Sequence, residues 1–284
     1  MNYKKITSLE IGILSTFLYK AFVLINGFNI LININQSDSI ISIIIGFLFG
    51  FIIVSLFLKA ADTLPKLNIF EKNTVLFTKP ISFIINGVLI ITTIIFSSYN
   101  LYISSLFIRS ALLNNVDILP ISILFLCGCM YLASKGIQTL CKSSIISFLL
   151  FLIFELITII LTIPNVNSIK LLPLFTSPIP TTIYSSIIYL TISILPIFLL
   201  LMIPKESIKD NKKHNKYIRL SYIVTNIYII FNFILVLSII NVRLASIIDY
   251  PELSILSKIS VLNFFDRMED ILSFKFLLDL FITL

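Results

Sequence analysis

The sequence predicts an all-α integral membrane protein of about eight transmembrane helices, and three observations carry that class. First, 58% of the 284 residues are hydrophobic and only 12% are charged. A soluble domain carries roughly 25% charged residues, so this chain has too few to cover its own surface. Second, several apolar runs exceed the ~20 residues that a helix needs to cross the hydrocarbon core. Third, the period-two alternation with polar inward positions that a membrane barrel requires is missing. Helices follow by elimination.

The runs predict spans at residues 9–32, 40–60, 81–108, 118–133, 144–163, 181–203, 220–240 and 271–284, all in one transmembrane domain. Span one keeps Lys20 in its middle and has no small-residue cleavage site after Lys4 and Lys5, so it is expected to stay in the mature chain. A polar turn around Asn33 to Ser39 separates it from span two. Span three is long enough to tilt. Four prolines fall between residues 164 and 180, before span six, and Pro196 falls inside that span. Span seven follows a lysine-rich loop. Residues 241–270 then form the longest amphipathic stretch, ahead of an eighth span of fourteen residues.

Charge sets the expected orientation. Fourteen lysines and arginines fall at the amino terminus and in the even-numbered loops, against five in the odd-numbered ones. By the positive-inside rule the amino terminus is cytoplasmic and the amphipathic stretch is extracytoplasmic. Topology therefore accounts for the net charge of +7 without a nucleic-acid partner.

Catalytic signals are few. The single histidine, His214, lies among lysines, and Cys127, Cys129 and Cys141 lack metal-ligand spacing and read as small core residues. No nucleophile–base pair and no phosphate-binding glycine loop is evident. The chain is expected to be no enzyme and to need no cofactor or metal.

Two intramembrane features invite a functional reading. A lysine at mid-span costs ~2.5–3.5 kcal/mol on insertion scales, so Lys20 marks either a site, a buried ion pair or a snorkelling side chain. Glu155, the other charge deep in the first five spans, is its candidate partner. Pro196, preceded by Tyr189, Thr191 and Ser193, breaks span six. Such breaks free backbone groups and mark substrate sites in transporters, although an ordinary proline kink is the bland alternative.

The closing stretch carries a resemblance. Tyr250-Pro251 begins an amphipathic segment, and Phe264-Phe265-Asp266-Arg267-Met268-Glu269 enters the last apolar run. Gly136-Ile137-Gln138-Thr139-Leu140-Cys141-Lys142 follows span four, and Leu171-Leu172-Pro173-Leu174 precedes span six. In this order they resemble the spore germination permeases, the B subunits of bacterial spore germinant receptors. These are a branch of the amino acid/polyamine/organocation transporter superfamily.

The resemblance implies a fold of two inverted sets of five helices, of which this chain would hold an incomplete version, ending in the eighth span of ten. It implies a small germinant, an amino acid or similar nutrient, bound at the unwound parts of spans one and six. Matching Asp38 to the family's aspartate after span one places Ala21, Val23 and Phe28 at positions where relatives carry glycines and a proline. The implied ligand-binding set is Lys20, Ala21, Val23, Tyr189, Thr191, Ser193 and Pro196. Gly136, Glu155, Pro251, Asp266, Arg267 and Glu269 would be structural or motif positions. The implied partners are a membrane-anchored A subunit and a C lipoprotein in the spore inner membrane. A vegetative amino acid or polyamine permease and a truncated, non-functional copy remain alternatives. The loop at Pro251 would be either a lid over the outer vestibule or a solvated surface helix.

Overall fold

A computed structural model of the chain describes residues 6–22, 28–111, 113, 116–248, 251 and 255. Among them there is no strand, and the backbone groups of each apolar run are satisfied within helices, as a lipid environment demands. The helices are α1 (Ser8–Phe22), α2 (Phe28–Asn35), α3 (Ser39–Asp62), α4 (Ile69–Leu76), α5 (Lys79–Ala111) and α6 (Ile118–Lys135). They continue with α7 (Ile137–Thr162), α8 (Ile179–Ile194), α9 (Ile197–Leu201), α10 (Asn211–Ile240) and the single turn α11 (Val242–Ala245).

Six helical stretches among the described residues are long and apolar enough to cross a membrane, the first of them running from α2 through α3. The predicted span one is distributed over α1 and α2. The predicted span eight lies outside the described residues.

The element ends follow local chemistry. Asn68 and Glu71 form a reciprocal cap at the start of α4, each side chain accepting from the other's backbone N–H. Gly136 alone joins α6 to α7, with φ of 83°, a conformation that favours glycine. The loop expected between spans four and five is therefore one residue, and α7 begins seven residues before the predicted span. Likewise α10 begins at Asn211 rather than at residue 220. Apolar runs report where a helix enters lipid; the lysine-rich turns continue the same helix in water, where charge is no obstacle.

Tight packing centres on α3 and α8, which meet along Gly46 and Gly50. A Cβ added at Gly46 would lie 2.8 Å from both the Ser186 carbonyl oxygen and Tyr189 Cδ1. One at Gly50 would run into the Tyr222 hydroxyl. Small residues four apart let membrane helices approach at backbone distance. α10 packs on α1 and α3, and Phe233 stacks on Phe28 of α2 at 4.0 Å between ring centroids.

Large apolar side chains cover the outside of α5, α6 and α7, with Phe83, Leu124 and Ile160 all exposed. That surface suits lipid and no aqueous phase. It also corrects the reading of the cysteines: Cys141 is buried, but Cys127 is exposed and Cys129 half-buried. α6 is a peripheral helix with only Ile121 fully buried, so it has little core to offer them.

The two ends of the bundle are tied differently. At one end Ile6 pairs with the segment after α9, Lys209 donating to the Ile6 carbonyl at 2.8 Å. Beside it Lys205 bridges to Asp62 and donates to Asn215, which in turn donates to Asp62 at 2.8 Å. Burial and the nearby Arg219 guanidinium hold the Lys205 ammonium below the usual lysine range even with Asp62 alongside. At the other end lie the turn before α3, the loop before α8, and α11.

Candidate functional site

At that second end Asp38 is the organising residue. Its carboxylate is buried and accepts from three consecutive backbone N–H groups, Phe175 at 2.5 Å, Thr176 at 2.8 Å and Ser177 at 2.7 Å. Successive N–H groups form a concave anion site, and here a side chain of the same chain fills it. Phe175 has φ of 61°, the backbone setting that lets the loop wrap the carboxylate. Next to it Asn35 donates to Ser42 at 2.8 Å and to Thr182 at 3.3 Å. The start of α8 is thus fastened to the turn between α2 and α3. The Leu171-Leu172-Pro173-Leu174 turn leads directly into this loop.

Below the fastening, α8 ends at Ile194 and α9 begins at Ile197, so the helix is interrupted at Leu195 and Pro196. Proline cannot donate a backbone hydrogen bond, and its ring displaces the preceding turn. Tyr189 and Ser193, one helical turn apart, are both buried. Tyr189 donates to Asn226, and Ser193 lies 3.2 Å from the Tyr222 hydroxyl. Thr191, expected beside them, does not join them: it is exposed, and its hydroxyl bonds its own helix at the Ile187 carbonyl. Two residues along a helix is more than half a turn, which sends it to the opposite face.

Polar contacts continue from α10 to α1. Ser15 and Ser221 share a hydrogen bond, and Tyr19 meets Tyr222 edge-on at 5.1 Å. The Tyr19 hydroxyl, Ser185 Oγ, Thr225 Oγ1 and Asn232 Nδ2 are buried without a hydrogen-bond partner among the described residues. Their capacity is open to a bound polar molecule.

Lys20 is buried at the end of α1, with Nζ 3.4 Å from the centroid of the Phe151 ring and 5.3 Å from that of Tyr228. Tyr228 in turn donates to Glu155 Oε2 at 2.9 Å. Lys20 and Glu155 therefore belong to one cluster that joins α1, α7 and α10, with Tyr228 common to both. A cation over a desolvated ring gains about 2 kcal/mol or more, which offsets much of the insertion cost.

Of the remaining site positions, Ala21 closes α1 within the helix, and Val23, Asp266, Arg267 and Glu269 lie outside the described residues. Pro251 and Ile255 are both buried; Ile255 joins the apolar cluster around Phe233. Motif reading missed Tyr222, Asn226 and Tyr228. A signal existed: Ser221, Tyr222, Thr225, Asn226 and Asn232 recur at helical spacing inside an apolar span.

These features define a polytopic helical membrane protein with a span interrupted at a proline and a polar seam buried between helices. A family model described as spore germination protein matches residues 7–284, and the chain belongs to that family, as a permease-like, germination-related membrane protein. Comparison with curated proteins gives no match, and neither does comparison with solved structures.

Proposed function

We propose that this chain is the permease-like subunit of a nutrient germinant receptor. It binds an amino acid or similar small germinant within the membrane, between spans one, three, six and eight. The observation that supports this most is the interruption at Leu195 and Pro196, beside the inward-facing Tyr189 and Ser193. Proline takes one backbone donor out of the helix there, and with the open polar capacity of Tyr19 and Thr225 the region can bind a zwitterion that lipid would reject.

The germinant acts by binding one of two conformations more tightly, because only differential affinity shifts an equilibrium. The shift is passed to a membrane-anchored A subunit and a C lipoprotein in the spore inner membrane, with the amino terminus cytoplasmic. Deleting the gene abolishes germination to one nutrient class, and Ser193→Ala raises the nutrient concentration needed. Normal germination of the deletion strain to every nutrient would overturn the reading. Uptake of labelled amino acid by vegetative cells, lost on deletion, would instead identify a permease.

A further inference from the structure

Away from the interrupted span, a cavity of about 350 Å³ opens at the end of the bundle that holds Asp38. Its polar lining is Asn33, Gln36, Ser37, Asn241, Arg243 and Ser246, drawn from the end of α2, the turn after it, and the segment at and around α11; Leu172 and Pro173 form a third wall. The volume lies within the range of small-molecule sites, roughly 300–1,000 Å³.

Two further observations point to a ligand. Arg243 is the one charged residue in the lining, and no carboxylate lines the cavity among the described residues. Asp38, beside the lining residue Ser37, already accepts three backbone N–H groups and is committed to the loop before α8. The second observation is backbone strain. Gln36 has φ of 48° and Asn241 φ of 79°, and both line the cavity. Non-glycine residues held in such conformations concentrate where a binding geometry is preset.

We propose that this cavity binds a small monocarboxylate, with Arg243 as its anchor. The planar guanidinium presents paired donors that match a carboxylate in a bidentate fork. The amides of Asn33, Gln36 and Asn241 supply neutral donors and acceptors around the rest of the molecule. A single cation balances a monoanion; a phosphate dianion would retain unneutralised charge. Because the lining comes from the segments after spans one and seven and from the turn before span six, an occupant bridges all three. This site is separate from the one proposed at Pro196 and does not depend on it.

The test uses the full chain in phosphatidylcholine nanodiscs, with the arginine reagent phenylglyoxal read by peptide mass spectrometry. Sodium acetate or L-alanine slows modification of Arg243 several-fold and leaves Arg109, exposed on the same face, unchanged. Alaninamide, which lacks the carboxylate, does not protect. Ser246→Phe, which fills the cavity, removes the protection. Equal protection of both arginines, none at millimolar acetate, or protection by alaninamide would overturn the proposal. Stronger protection by inorganic phosphate than by acetate would overturn the monocarboxylate assignment. In Ser193→Ala the protection of Arg243 persists, so a failure of the germinant reading at span six and a failure here are read separately.

Discussion

Asp38 fastens the loop before α8 to the turn before α3 through three backbone N–H groups. Phe175 and Thr176 are exposed, so water can replace a removed carboxylate at part of the loop, while the fastening of that loop to the turn before α3 is lost. An unsatisfied buried donor costs about 1–3 kcal/mol. Asp38→Ala is expected to lose about 1–3 kcal/mol of stability, read as a lower unfolding temperature in detergent. Asp38→Asn keeps one acceptor oxygen and loses less. The same reasoning applies around Lys20. Tyr228→Phe deletes the donor to Glu155 and is expected to cost about 1–2 kcal/mol. Exchanging the charges, Lys20→Glu with Glu155→Lys, restores protein level relative to either single change if the two act as a pair. No rescue would assign each to the rings and hydroxyl instead.

At the scale of elements, the decisive surface is the glycine face of α3. Gly50→Val drives a side chain into the Tyr222 hydroxyl, and with it into the contact between Tyr222 and Ser193. Overpacking of this kind costs typically 1–3 kcal/mol, and here it also separates α3 from α8 beside the interrupted span. Lower thermal stability and loss of nutrient response are expected together. Gly87 on α5 is the matched control, because a Cβ there meets nothing within 4 Å. Gly87→Ala is expected to be neutral or stabilising by up to ~1 kcal/mol through helix propensity. Equal damage from both substitutions would show that glycine flexibility matters more than close approach.

At the scale of the whole molecule, orientation is the claim to test. The Asp62–Lys205 end carries the lysine-rich turn, and the Asp38 end carries the proline-rich loop. In a variant lacking Cys127, Cys129 and Cys141, Ile169→Cys is expected to react with an impermeant maleimide on intact cells. Lys212→Cys is expected to react only after lysis. The reverse pattern would invert the topology and place the Arg243 cavity on the cytoplasmic side. The surface pair of Lys66 and Glu206, 3.8 Å apart and largely exposed, contributes little to holding either end.

The sequence by itself determined the class, the number of long apolar runs among residues 28–240, the interruption at Pro196 and the family. Each is a property of one segment: a run long enough to span lipid, a residue without an N–H, a motif in order. It also marked Lys20 and Glu155, since a charge within an apolar run is visible without knowing its surroundings. Only the tertiary structure decided which polar residues meet. Tyr189 with Asn226, Ser193 with Tyr222, and Tyr228 with Glu155 lie far apart in the chain and join only when α8 and α7 pack on α10. Thr191 faces away from Tyr189 and Ser193 for the same reason, because composition names a polar residue while helix rotation decides its direction. The Asp38 clasp and the Arg243 cavity were equally hidden, being made by backbone N–H groups and by turns brought together from three spans. Hydropathy records what each segment can do in lipid; contacts between segments depend on register and rotation, which a one-dimensional pattern does not carry.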